Sequence, residues 1–133
     1  MRRLAACLLL CATPAVAAPS GAGIWFGIGQ TGDKGGMYID HMLPNGRIVT
    51  QFRSCLKGKG DDHVQEGTWS ISGGTLTIRV TRWDGEPAPR IDVYRVLSVT
   101  EGNFNYDLLP QNFPYRARRV GADFKMPSCD MIS

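Results

Sequence analysis

Apolar residues along most of this chain recur at every second position, in short runs broken by glycine, proline and asparagine. That period predicts half-buried β-strands rather than helices. The run from 75 to 83 shows it most clearly, with Leu76, Ile78 and Val80 on one side and Thr77, Arg79 and Thr81 on the other. The same logic groups Ile48, Thr50 and Phe52, then Gly67, Trp69 and Ile71, then Phe104, Tyr106 and Leu108. A further row collects Ile91, Val93, Leu97 and Val99, with Arg95 among them. Two early runs are ambiguous: Ile24, Phe26 and Ile28 oppose Trp25 and glycines, and the run 37–43 can face either way.

Strands are predicted over 24–30, 37–43, 47–56, 63–71, 75–83, 90–100, 104–108 and 113–120. Pro44-Asn45-Gly46 and Ser72-Gly73-Gly74 read as tight turns, because asparagine and glycine tolerate positive φ. Residues 57–62 and 84–89 read as longer connections. Sequential antiparallel strands with short turns predict an all-β, eight-stranded up-and-down barrel, since closure removes both sheet edges. A β-sandwich is the alternative. An interior of this size holds side chains or one small ligand.

The first residues break the pattern. Arg2 and Arg3 precede an apolar stretch, 4–11, and the small-residue motif Ala15-Val16-Ala17. This order predicts a secretory signal peptide over 1–17, leaving one barrel domain with a C-terminal tail over 18–133. No stretch approaches the roughly 20 apolar residues of a membrane-spanning helix. The whole chain carries 15 Lys and Arg against 12 Asp and Glu, but Arg2 and Arg3 leave with the signal. The remaining 13 bases nearly balance the acids, which removes the basic footprint a nucleic-acid partner needs. A periplasmic or secreted location is expected. Cys7 and Cys11 also leave, so Cys55 and Cys129 face an oxidising compartment as a single pair. A structural disulfide between them is expected, pinning the tail over the barrel. It would close a loop of about 75 residues, worth roughly 4 kcal/mol in chain entropy.

Gly23-Ile24-Trp25 at the start of the first strand resembles the G-x-W element of lipocalins. Arg118-Arg119 near the end of the last strand resembles the late arginine of that family, which packs over the tryptophan. A cysteine after an early strand joined to one in the tail is similar as well. The resemblance implies a small calycin-type barrel in which Trp25 and Arg119 are structural. The mature chain is short for a lipocalin, and no helix follows the last predicted strand.

Candidate chemistry is sparse. Gly27-Ile28-Gly29-Gln30-Thr31-Gly32 spells the dinucleotide motif, but a strand rather than a helix follows it. His41 beside Asp40, and His63 beside Asp61 and Asp62, could together supply the three or four ligands of a zinc site, but two surface histidines beside turns are the expected reading and no metal residue is assigned. No G-x-S-x-G occurs, so no catalytic residue is assigned and catalysis ranks last. No cofactor is expected. Arg95, read as facing inward, needs a buried partner such as a ligand carboxylate or an internal acid. Tyr38, Phe52, Trp69 and Tyr106 are expected to line a pocket with it. The leading expectation is therefore an exported barrel holding a small apolar or amphipathic ligand. The second is a protein-interaction module of the cell envelope, or a secreted enzyme inhibitor, with a filled core.

Overall fold

The computed structural model describes residues 21–30 and 33–131, so the expected export segment lies outside the described residues. Eight strands follow one another: β1 (Gly23–Gln30), β2 (Asp33–Met42), β3 (Arg47–Leu56), β4 (Lys59–Ser72), β5 (Thr75–Trp83), β6 (Glu86–Val99), β7 (Asn103–Leu108) and β8 (Phe113–Arg119). Each pairs antiparallel with the next, and β8 pairs with β1, so the sheet is a closed up-and-down barrel and not a sandwich. Among the described residues no helix is long and apolar enough to cross a membrane.

Strands β2, β4 and β6 begin well before the sequence pattern predicts. The expected loops 57–62 and 84–89 shrink to the two-residue turns Lys57-Gly58 and Asp84-Gly85. Their φ angles of 51° and 75°, and of 50° and 80°, are those of hairpin turns that match strand twist. The polar residues after the first of these turns belong to the ladder. Asp62 stands directly opposite Arg53, and the two side chains are joined at 2.7 Å. Pro87 and Pro89 also lie within β6. Ala88 and Pro89 together face Thr81, a bulge that absorbs the missing proline N–H.

A second bulge overturns the expected inward row of β6. Val96 pairs with Tyr106, but Ser98 pairs with Asn105, so Leu97 is an extra residue. One inserted residue reverses the facing of everything on one side of it. Before the bulge the inward residues are Arg90, Asp92, Tyr94 and Val96; after it, Val99. Arg95 therefore points outward and is exposed, with Ile91 (56% exposed) and Leu97 (50%) on the same face. A comparable shift at Thr81 in β5 turns Trp83 inward after Leu76, Ile78 and Val80.

The interior is packed solid at one end. Trp25, Leu76 and Phe104 are fully buried there with Met42 and Ile48, and the Trp25 and Phe104 rings lie 5.4 Å apart. The Trp25 Nε1–H donates to the Gly21 carbonyl at 2.9 Å. The Arg119 guanidinium covers the Trp25 ring at 4.3 Å, while its Nε donates to the Glu101 carbonyl at 2.6 Å. Arg118 points to the other side of the sheet, over Phe26 and Phe124.

The outer face of β1 and β2 carries a second apolar cluster, Phe26, Met37 and Ile39. The tail covers it: Phe124 packs on Phe26 at 4.9 Å, with Val120 and Met126 alongside. Cys55 and Cys129 form a disulfide that holds the tail down, with a short 3-10 turn at Cys129–Met131. Arg53 donates to the Pro127 carbonyl at 3.0 Å, a second fastening.

Candidate functional site

The half of the barrel opposite Trp25 is hollow. A cavity of about 370 Å³ lies there, within the roughly 300 to 1,000 Å³ typical of small-molecule sites. Tyr38, Tyr94, Tyr106 and Tyr115 form its aromatic wall. Trp83 and Leu108 end β5 and β7 at the mouth, and Phe52, in the middle of β3, packs against Trp83 at 5.5 Å. Asp40, Thr50, Gln65, Arg90 and Asp92 contribute the polar groups.

Strand alternation places these side chains. Tyr38 and Asp40 on β2 are two residues apart, as are Thr50 and Phe52 on β3, and Tyr38 lies opposite Phe52 across the ladder with Asp40 opposite Thr50. Opposite Tyr38 on β1 is Gly27. A Cβ there would overlap the Tyr38 ring, so glycine makes the space that this ring occupies. Gly67 is required for a related reason: its Cα sits against the Arg79 backbone beside the Thr81 bulge, where a side chain has no room.

The tyrosines form one interlocked group. Tyr106 and Tyr115 stack at 5.3 Å with planes 4° apart, and Tyr94 meets both edge-on at 5.1 and 5.6 Å. Such contacts are favourable beyond simple burial. Burial pushes the hydroxyls of Tyr38, Tyr94 and Tyr106 well above their ordinary pKa, so all three remain neutral.

Asp40 is the centre of the polar network. It is 5% exposed. Thr50 Oγ1 donates to Oδ1 at 2.6 Å. The Tyr106 hydroxyl has one proton and two acceptors in reach, Oδ2 of Asp40 at 3.2 Å and the Tyr38 oxygen at 3.3 Å. Burial raises the Asp40 carboxyl from 3.8 to about 6, against the lowering pull of the Thr50 and Tyr106 hydrogen bonds. Such a carboxyl can exchange a proton near neutral pH, and the groups bonded to it are hydroxyls rather than a histidine.

Across the cavity, Arg90 Nη2 donates to Gln65 Oε1 at 2.7 Å and to Asp92 Oδ2 at 2.9 Å, while its Nε donates to Asp92 Oδ1 at 3.0 Å. At the rim, His63 stacks on Trp83 at 5.0 Å. Its Nδ1 contacts Asp84 at 2.6 Å and its Nε2 contacts Asp61 at 3.0 Å, and these bonds, Asp84 first, raise the imidazole pKa. Asp84 also accepts from the Val64 N–H at 2.8 Å. The turn thus orients His63, and His63 braces the Trp83 ring.

No protein-family model matches this chain, and no curated protein matches it.

Of the five residues the pattern nominates for a pocket, Tyr38, Phe52 and Tyr106 line the cavity. Trp69 packs at the solid end, where its Nε1–H donates to the Leu43 carbonyl at 2.9 Å. Arg95 is outside the barrel. Arg90, five residues earlier on the same strand, is the arginine that the cavity contains. Asp92, Tyr94 and Trp83 were hidden by the bulges at Leu97 and Thr81. Asp40 was legible only as a neighbour of His41. Among the described residues no group of three or more His, Cys, Asp or Glu side chains is placed to hold a metal ion. Gly27 to Gln30 lie in β1 and an antiparallel strand follows, so the dinucleotide lettering does not open a helix.

Proposed function

We propose that this protein is an exported carrier or sensor that holds one small amphipathic molecule inside its barrel. The observation that carries the reading is the hollow half: about 370 Å³, walled by aromatic rings, with a buried hydrogen-bonded carboxyl among them. Aromatic walls supply apolar contact area, and a few polar groups fix the ligand's orientation. The Cys55–Cys129 bridge supports a periplasmic or secreted setting, where disulfides persist. Arg119 stacked on Trp25 at the closed end supports a lipocalin-like kinship.

The test is binding of the neutral apolar dye N-phenyl-1-naphthylamine. Its fluorescence should rise saturably with the intact protein. Leu108→Trp, which fills the mouth, should abolish the rise while keeping the circular dichroism of the barrel. No enhancement, or equal enhancement in both proteins, would contradict the reading.

A further inference from the structure

Asp40 has no cationic partner among the described residues. The ion pairs join Arg53 to Asp62, Arg90 to Asp92, Arg116 to Asp107, and His63 to Asp61 and Asp84. A carboxylate buried without a counter-ion is costly, and a cation brought to it relieves that cost. Its two oxygens offer about four acceptor positions, of which Thr50 and Tyr106 occupy two. The remaining capacity is in a carboxylate that lines the cavity.

The charges of the cavity do not cancel. Asp40 and Asp92 stand against Arg90 alone, and Arg90 is committed to Asp92 and Gln65 through Nε and Nη2. The uncompensated charge is that of Asp40, and the rings around it are those of Tyr38, Tyr94, Tyr106 and Tyr115. The faces of such rings attract cations, most strongly away from water.

We propose that the ligand is a small organic amine, whose ammonium group docks on Asp40 between the tyrosine rings while its apolar body extends toward Phe52, Trp83 and Leu108. This rests on the reading of the cavity as a ligand site. An ammonium donates to the open acceptor positions and neutralises the charge together. A neutral hydroxyl supplies only the hydrogen bond. A carboxylate ligand meets repulsion from Asp40, and the guanidinium that would attract it is already paired.

The experiment is calorimetric titration of the whole protein near neutral pH with three probes of one skeleton: 4-phenylbutylamine, 4-phenylbutanol and 4-phenylbutyrate. The amine should bind at least tenfold tighter than the alcohol, and the carboxylate weakest. Asp40→Asn, which keeps a side chain of the same shape, should bring the amine to within twofold of the alcohol. The order of the three probes on the unaltered protein decides the matter even where the variant fails to fold. An alcohol or carboxylate that binds as tightly as the amine overturns the inference and leaves the cavity reading standing, as does an Asp40→Asn variant that still prefers the amine. Binding of none of the three overturns both.

Discussion

The Tyr106 hydroxyl, carried on β7, reaches Oδ2 of Asp40, carried on β2, at 3.2 Å across the inside of the barrel. This contact ties opposite walls together around a carboxyl that burial holds at a pKa of about 6. Stability should register it.

The folded chain binds the Asp40 proton more tightly than the unfolded chain, whose carboxyl is near 3.8. Between those values the folded state holds more protons, so unfolding free energy falls as pH rises. At about 1.4 kcal/mol per pH unit the difference from this group approaches about 3 kcal/mol by neutral pH. Asp62 and Asp84 are lowered by Arg53 and His63 respectively, so their stability is lost below 3.8. His63, raised by Asp84 and Asp61, loses its contribution above 6.5. From about pH 5 to 6 Asp40 therefore dominates among these groups. Urea unfolding across that range should show stability declining with pH, and Asp40→Asn should flatten the decline. An unchanged slope in the variant would remove Asp40 as its source.

Tyr94 and Arg95 are neighbours on opposite faces of β6. Tyr94→Ala should cost about 3 kcal/mol or more, as loss of a packed aromatic does. Arg95→Ala should stay within about 0.5 kcal/mol of the parent. Equal costs would mean that the Leu97 bulge is misplaced.

Reduction should lower the melting temperature by roughly 10 °C or more, because the bridge spans 74 residues and is worth roughly 4 kcal/mol. The released tail should also expose Phe26, Met37 and Ile39, read as faster amide exchange on β1 and β2. A melting curve indifferent to reductant would show that the tail stays seated without the bond.

Gly27→Ala should push the Tyr38 ring into the cavity. The expected cost is roughly 1 to 3 kcal/mol, with a several-fold loss of dye affinity. Unaltered affinity would show that the ring has room to move elsewhere.

The barrel was legible because β3, β4, β5 and β7 each bury one face, so alternation reads directly. Strands β1 and β2 were ambiguous for a physical reason: the tail covers Phe26, Met37 and Ile39 on the outside, so both faces are apolar. The site was legible only in part. Tyr38, Phe52 and Tyr106 were identifiable as aromatics on strands, but one extra residue at Leu97 exchanged Arg95 for Arg90, Asp92 and Tyr94. The bulge shifts the phase of the alternation, but the exposed Ile91 and Leu97 continue the row of Val99 and disguise the shift. Pro87 and Pro89 read as part of a connection, so they gave no warning of the bulge opposite Thr81.

The most direct measurement is amide chemical-shift mapping of the dye complex by NMR. N-phenyl-1-naphthylamine should shift the amides of Thr50, Gln65, Tyr94 and Tyr106, while those of Leu76 and Phe104 at the solid end stay in place. Largest shifts on the outer face, around Phe26, Met37 and Phe124, would place the ligand under the tail and contradict the claim that the interior is the binding site.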